Sequence, residues 1–197
     1  MVENTESPGI YNEVLVALGA NLAGHMDSPS GQLDAAIREI DKAGLEVKRK
    51  SRLFRTPCFP PGAGPDFVNA AIICESDLSP RAILKLLHGV EISMGRQRVQ
   101  RWAARVLDLD LLAVGDQVLP DADTFRHWAG LELSAQMARA PEELILPHPR
   151  LHERGFVLVP LLDIAPDWRH PVLGKTVAQM HAALDPAQLH EISALSQ

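Results

Sequence analysis

The stretch RWAARVLDLDLLAVG, residues 101–115, decides the fold of this chain and raises the question of its function. Leucines alternate with Asp108 and Asp110 before a further apolar run, which is typical of a half-buried β-strand. Side chains of a strand point to opposite faces in turn, so the leucines at 107, 109 and 111 are predicted to lie in the core. The two carboxylates then share the other face, about 6–7 Å apart at the backbone.

Two carboxylates on one half-buried face repel each other unless positive charge neutralises them. Mg²⁺ would do so, since it is typically held by one or two carboxylates and by substrate phosphates. Arginines precede the pair at positions 96, 98, 101 and 105, and guanidinium groups match phosphate oxygens. The residues alone leave open a metal–nucleotide site, ion pairs with nearby acids, solvated aspartates on an exposed face, or a nucleic-acid patch.

The bulk properties limit these possibilities. The 197 residues predict one globular domain, and a net charge of −6 disfavours nucleic acid as a partner. The two cysteines have no metal-binding spacing, which favours a reducing, cytoplasmic setting. No apolar run approaches the length of a membrane span, so no membrane partner is expected. Residues 1–12 are polar and are predicted to form a flexible tail.

Apolar periodicity predicts the order strand–helix–strand–strand–helix–strand. We therefore expect an α+β fold, a ferredoxin-like split β-α-β sheet with flanking helices in α/β/α layers, as a single domain over residues 13–197. LEVKRKSRLFRT, residues 45–56, is interpreted as one strand with a solvated basic face, and residues 117–119 as a short return strand. An atypical insertion at about 120–143 is predicted to contain a helix around residues 123–140, with a packing or subunit-contact role.

Several common catalytic motifs are missing from the sequence. It contains neither a P-loop nor a G-x-G-x-x-G fingerprint, and it has no G-x-S-x-G elbow. His148 and His152 are four residues apart, but no H-E-x-x-H pattern accompanies them. We interpret His148 as a loop histidine that contacts a ligand phosphate or a backbone carbonyl.

Six segments, in order, resemble the hydroxymethyl-dihydropterin pyrophosphokinase (HPPK) family. ALGANL resembles the family's G-S-N-L turn, FRTPCF its R-T-P loop, and PDFVNAA its P-D-Y-L-N-A-A strand. VEISMGRQR resembles E-x-x-x-G-R-x-R, and the opening stretch resembles R-W-G-P-R-T-L-D-L-D-I. LPHPRLHERGFVLVPLLDIAP resembles P-H-x-x-x-x-R-G-F-x-L-x-P-L.

The resemblance implies transfer of pyrophosphate from ATP, the co-substrate, to the hydroxymethyl group of a dihydropterin, with release of AMP. It implies two Mg²⁺ ions on Asp108 and Asp110, and a protein that contributes positioning and charge neutralisation. The partners are then small-molecule substrates, and a monomer is the default expectation. A non-catalytic pterin- or nucleotide-binding homologue is the alternative function.

The resemblance also implies roles by position. The catalytic set is Arg96, Arg105, Asp108 and Asp110, with both aspartates as metal ligands. The ATP site is lined by His88, Glu91, Arg98, Leu111, His148 and Arg154. The pterin site comprises Thr56, Pro57, Phe59, Phe67, Asn69, Trp102 and Phe156. Here Asn69 would pair with the amide edge of the ring, Trp102 and Phe156 would stack on it, and Phe67 is either pterin wall or core.

The chain departs from the family pattern at a few positions. Ala20 replaces serine in the first turn, and Val106 replaces threonine before the carboxylates. Ala103 and Ala104 replace Gly-Pro, which removes a pre-set turn between Trp102 and the arginine that follows. We therefore expect the loop that delivers these two side chains to move differently, while the carboxylates and key arginines are retained.

Overall fold

The computed structural model describes residues 12–58, 64–96 and 105–196. Within these residues the strands are β1 (Asn12–Ala20), β2 (Glu46–Lys50), β3 (Phe54–Thr56), β4 (Phe67–Ser76), β5 (Asp108–Val114) and β6 (Ser193–Ala194). The helices are α1 (Pro29–Lys42), α2 (Pro80–Ser93), α3 (Ala122–Ala129), α4 (Leu133–Ala138), α5 (Gly155–Ile164), α6 (Val177–Ala182) and α7 (Pro186–His190). A short 3-10 helix spans Leu151–Glu153.

The strands form one antiparallel sheet in the order β5-β1-β4-β3-β6, and β2 pairs with β4 beside β3. Strand β4 lies between β1 and β2, while β1 lies between β4 and β5, so two β-α-β units interleave. This is the split β-α-β arrangement, and the predicted α+β fold is confirmed. None of the helices in the described ranges is long and apolar enough to span a membrane.

Each face of the sheet is covered by helices. Side chains such as Val16, Ile72 and Leu109 pack with α1 and α2 in one buried cluster. Leu15 and Ile73, on the opposite face, pack with α5 and α6 in a second cluster. The sheet therefore lies between two helical layers. Its central strands carry continuous apolar runs because both of their faces are buried.

Local signals explain where the two main helices begin and end. Ser28 and Ser79 are the N-caps of α1 and α2, and each is followed by a proline in the first turn. Gly44 and Gly95 follow the helices with φ of +105° and +92°, a conformation that side chains disfavour. These boundaries place Glu91 in the last turn of α2 and Arg96 three residues after the helix, beside β5.

A bulge in β5 changes the predicted alternation. The pairing with β1 shifts between Leu15 and Val16, which face Ala113 and Leu111 respectively. Leu112 and Ala113 consequently both pack in the α5 cluster. The backbone N–H of His148 donates to the Leu112 carbonyl at 2.7 Å, which brings the His148 loop to this edge of the sheet.

Segment 45–56 was predicted as one strand, and this is wrong: it forms β2 and β3, separated at Ser51. The side chain of Ser51 takes part in the pairing there: its Oγ accepts a hydrogen bond from the backbone N–H of Ala71 on β4 at 2.9 Å. The basic face is solvated, as predicted. Its side chains pair with surface acids: Lys48 with Glu46 and Glu75, Arg49 with Glu13, and Lys50 with Asp34.

Two predictions for the chain after β5, one of them inside the insertion, also need correction. The single helix expected around residues 123–140 is broken into α3 and α4 after Gly130, a residue of low helix propensity. The return strand at 117–119 does not form. Leu119 instead exchanges two backbone hydrogen bonds with Leu146, at 2.9 and 3.0 Å, so the insertion leaves and rejoins the domain at one point.

The insertion is held on the domain by Phe125 of α3. Phe125 is 0% exposed, and its ring centroid lies 4.9 Å from that of His170, which is also 0% exposed. Burial, and then the charge of His152, lower the pKa of His170 to about 4, so the imidazole is neutral at pH 7 and packs as an aromatic ring. The predicted packing role of the insertion therefore has a physical basis, and a subunit-contact role stays a prediction.

Phe125→Ala should lower the free energy of unfolding by about 3–5 kcal/mol, the usual loss when a buried phenylalanine is truncated. Phe156→Ala is the matched control: its ring is 39% exposed, and its loss should be less than about 2 kcal/mol. Urea denaturation of the free protein measures both. An equal or smaller loss at Phe125 would show that this contact does not hold the insertion.

Candidate active site

The site is built on a row of residues that crosses four strands. Asp108 on β5 lies opposite Gly19 on β1, Gly19 lies opposite Asn69 on β4, and Asn69 lies opposite Phe54 on β3. Opposite residues in antiparallel strands have Cα atoms about 4.5–5.5 Å apart, so the carboxylate and the amide lie about 10 Å apart on one face. Gly19 between them has no side chain, and the Asn69 amide lies over it, with Oδ1 2.9 Å from the place that a Cβ would take.

Two arginines contact Asp108. Arg96 Nη1 lies 2.8 Å from Asp108 Oδ1, and Arg105 Nη1 contacts Oδ2. Arg96 is itself held by Glu91, which is 1% exposed and also accepts the backbone N–H of Leu109 at 2.8 Å. Glu91 thus fastens the end of α2 to β5 and orients Arg96 toward the carboxylate.

Asp110 faces the start of α5, where Arg154 Nη1 lies 3.6 Å from its Oδ2. Nearby, His148 Nδ1 accepts the backbone N–H of Arg150 at 3.1 Å. Burial, then the charges of Arg154 and Arg150, lower the pKa of His148 to about 3. The imidazole is therefore neutral, and with Nδ1 as acceptor its proton lies on Nε2, which can donate to an anion.

The surroundings of Asp108 disfavour its ionised form. Burial, and then the neighbouring Asp110, raise the pKa of Asp108 above its ordinary value even though Arg105 and Arg96 oppose the shift. Two half-buried carboxylates two residues apart on one strand face match the oxygen ligands that Mg²⁺ prefers. Within the described ranges no three acidic, histidine or cysteine side chains converge on a metal site. The remaining ligands would have to be water or phosphate.

A second group of predicted residues lies at the other end of the row. Asn69 is buried, and its Nδ2 donates to Thr56 Oγ1 at 2.7 Å. Phe67 lies half-buried beside Gly19, and Pro57 is exposed. Phe156 is 39% exposed at the start of α5, with the Arg154 guanidinium 5.5 Å from its ring centroid. An exposed aromatic ring and a buried amide therefore face the same side of the sheet.

Two further predicted residues, His88 and Leu111, lie on the elements that carry this cluster. His88 lies half-buried on α2, one turn before Glu91 and on the same side of the helix. Leu111 is 4% exposed and packs on the opposite face of β5 from the aspartates. Their assignment to a nucleotide site stays a prediction. Phe59, Arg98 and Trp102, together with Ala103 and Ala104, lie outside the described residues.

Sequence reasoning missed two residues. Gly19 was treated only as part of a turn after the first strand, yet it lies inside β1 at the centre of the row. Asn21, the polar residue directly after that strand, was quoted in a motif but assigned no role, although it is 4% exposed and bonds to two other segments. The available signal was a polar asparagine directly after an apolar strand, two residues from the glycine of the motif.

The model of the 7,8-dihydro-6-hydroxymethylpterin-pyrophosphokinase (HPPK) family matches residues 15–166. The chain belongs to the HPPK family. A Synechocystis 2-amino-4-hydroxy-6-hydroxymethyldihydropteridine pyrophosphokinase is 36% identical over 185 residues, which are 93% of this chain and 82% of that protein. The protein of the same name from Methylorubrum extorquens is 32% identical over 178 residues, 90% of this chain and 96% of that protein.

A solved structure also resembles this HPPK chain. The crystal structure of a triple mutant of Plasmodium falciparum HPPK-DHPS with SDX-DHP superposes with a TM-score of 0.64 at 15% sequence identity. The likeness covers 90% of this chain but only 45% of the Plasmodium chain, so our chain spans less than half of that protein. At this identity the comparison supports the fold alone.

Replacing Asp108 or Asp163 with neutral asparagine should affect the free energy of unfolding differently. Asp108 has a raised pKa, so its ionisation above that pKa destabilises the folded state, and Asp108→Asn should not lower the free energy of unfolding at pH 7. The pKa of Asp163 is lowered mainly by Arg52, whose Nη2 lies 2.7 Å from Oδ1. Its charge stabilises the fold above the ordinary carboxyl pKa, and Asp163→Asn should lower the free energy of unfolding.

Chemical denaturation at pH 7, without nucleotide or Mg²⁺, measures both variants. A loss of stability in Asp108→Asn that equals or exceeds the loss in Asp163→Asn would contradict the charge balance described above.

Proposed function

We propose that this chain transfers pyrophosphate from ATP to 6-hydroxymethyl-7,8-dihydropterin in folate biosynthesis, with AMP as the second product. The observation that carries the proposal is the row from Asp108 through Gly19 to Asn69. It sets phosphate-side carboxylates and an amide suited to a pterin ring on one face, with only a glycine between them in the pairing of the strands. The curated relatives carry the name of this activity.

The reaction needs orientation more than covalent chemistry. The hydroxymethyl oxygen attacks the β-phosphorus of ATP, and the bond from that phosphorus to the oxygen shared with the α-phosphorus breaks. AMP leaves with the shared oxygen and its electron pair, and the hydroxyl proton is released. The protein contributes by aligning the two groups and by neutralising charge that spreads over the phosphate oxygens.

Asp108 and Asp110 would hold Mg²⁺, for which their oxygens, burial and mutual repulsion are suited. When bound, the metal neutralises phosphate charge and helps to orient the transferring group. The presence of two ions, expected from the resemblance, is part of this proposal. The cytoplasmic location and the monomeric state predicted from the sequence are also kept as proposals.

The nucleotide phosphates would lie near the guanidinium groups around Asp108 and Asp110. Arg105 and Arg154 are paired with these carboxylates, and a phosphate can take over such charge-assisted contacts. Arg96 stays oriented by Glu91, while the neutral His148 offers its Nε2–H as a donor. Arg98, His88 and Leu111 are proposed to complete the nucleotide site.

The dihydropterin would lie over Gly19, between Asn69 and Phe156. The buried Asn69 amide can pair with the ring edge, because it offers both a donor and an acceptor, and Thr56 fixes its orientation. Phe156 and Phe67 would contact the ring, and Pro57, Phe59 and Trp102 are proposed to close the site. Both catalytic aspartates and both described arginines are retained, so the non-catalytic alternative has no supporting observation.

Asp108→Asn and Asp110→Asn should each lower kcat on the order of 10³-fold while the protein remains folded, since each removes a charge that balances the transferring phosphates. Asp116→Asn, an exposed aspartate in the turn after β5, is the matched control and should keep full turnover. The assay follows AMP from ATP, Mg²⁺ and the dihydropterin. Normal turnover of both site variants, or ADP in place of AMP from the natural chain, would refute the proposal.

Gly19→Ala tests whether the close approach of the Asn69 amide to β1 matters for binding of the dihydropterin. A Cβ at this position would lie 2.9 Å from Asn69 Oδ1 and has no other atom nearer than Phe67 Cδ1 at 3.8 Å. The variant should raise KM for the dihydropterin about tenfold by displacing the amide, and should leave KM for ATP within about twofold. Gly89→Ala, where an added Cβ meets nothing within 4 Å, should change neither constant. Equal changes in the two KM values, measured by steady-state kinetics, would contradict a role of Gly19 on the pterin side.

A further inference from the structure

We propose that Asn21 is a positioning residue that couples the main chain at Arg105 to residues 64–66, which lead into β4, so that nucleotide and dihydropterin bind cooperatively. The inference rests on the proposed function, because it assigns the two segments to the two substrates. Asn21 directly follows β1 and is 4% exposed. It contacts neither carboxylate in the described hydrogen bonds and acts through its neighbours.

On one side Asn21 holds the main chain of Arg105. Its Oδ1 accepts the backbone N–H of Arg105 at 2.7 Å, and its own backbone N–H donates to the Arg105 carbonyl at 3.0 Å. These two bonds set where the chain enters the site from position 105 onward. The Arg105 guanidinium then reaches Asp108, where we propose that the phosphates lie.

On the other side Asn21 holds the segment that leads into β4. Its Nδ2 donates to the Pro65 carbonyl at 3.1 Å, and Cys58 Sγ donates to the adjacent Gly64 carbonyl at 3.0 Å. Residues 64–66 lead directly into Phe67 and Asn69, the proposed pterin contacts. A shift of this segment would therefore move the proposed pterin contacts on β4.

One planar amide serves both segments, and this creates the coupling. If either segment shifts, a buried donor or acceptor of Asn21 loses its partner, which costs free energy because the buried group is then unsatisfied. The favoured position of each segment then depends on the other, which is the thermodynamic meaning of coupling between two sites. Asparagine suits this place because its short side chain carries one acceptor and one donor group, whereas aspartate can only accept when ionised.

The test is the affinity for the dihydropterin with and without Mg²⁺ and an ATP analogue that has a methylene group between the α- and β-phosphorus. Isothermal titration calorimetry gives both dissociation constants, and their ratio measures the coupling. The natural chain should bind the dihydropterin more tightly when the analogue is present. Asn21→Ala should reduce this ratio about tenfold, the effect expected for about 1.4 kcal/mol of lost coupling.

Two further variants separate coupling from general destabilisation. Asn21→Asp keeps the shape and the acceptor for Arg105 but sets a carboxylate oxygen against the Pro65 carbonyl, so the ratio should fall while the fold persists. Ser51→Ala removes buried hydrogen bonds of a residue that is 4% exposed and that bonds to β4 away from both segments. It should lower the melting temperature and leave the ratio unchanged.

The outcomes are distinct for the two proposals. If the natural chain releases no AMP, the proposed function fails whatever the variants do. If it releases AMP but shows no coupling, or if Asn21→Ala and Asn21→Asp keep the natural ratio, the role of Asn21 is overturned and the function stands. Should Asn21→Ala fail to fold, Asn21→Asp carries the test alone. A similar fall of the ratio in Ser51→Ala would also overturn the inference.

Discussion

Asp108 carries a negative charge where its surroundings disfavour one, because it is partly buried and Asp110 lies two residues away on the same face. Arg96 and Arg105 lower this energy but do not cancel it. Neighbouring residues position the positive charges around the two aspartates. Glu91 orients Arg96, Asn21 holds the backbone of Arg105, and Arg154 faces Asp110. A charge held in this way lowers the stability of the free protein, and we propose that binding of a cation and phosphates compensates for it.

The sheet connects this charged end to an apolar, amide-bearing end without any intervening side chain. Gly19 lies between Asp108 and Asn69 in the pairing of the strands, and Ala17 lies beside Asp110 in the next row. Because Gly19 has no side chain, the Asn69 amide can lie directly over the backbone of β1. The same face becomes a buried core further along, where the bulge in β5 turns Leu112 and Ala113 under α5. Core and site therefore share one face and are separated only by position along the strands.

Sequence reasoning succeeded where a property is local. Period-two alternation in β5 identified which face Asp108 and Asp110 occupy. It failed where distant contacts decide the outcome. The strand predicted for residues 45–56 divides at Ser51, where a side chain bonds to β4, and Leu119 pairs with Leu146 rather than with a neighbouring strand. No periodicity in a single segment records such pairings.

The amino-acid sequence by itself determined the family, through six motifs in order, the α+β class, and the residue types needed for a metal–phosphate site. Only the tertiary structure decided which of these residues meet. Strand register set Gly19 between Asp108 and Asn69, and packing of Phe125 on His170 set the place of the insertion. The burial of Asn21 between two segments 44 and 84 residues away likewise depends on the folded chain. Register and burial arise from contacts between residues far apart in the chain, whereas propensity and pattern describe only near neighbours.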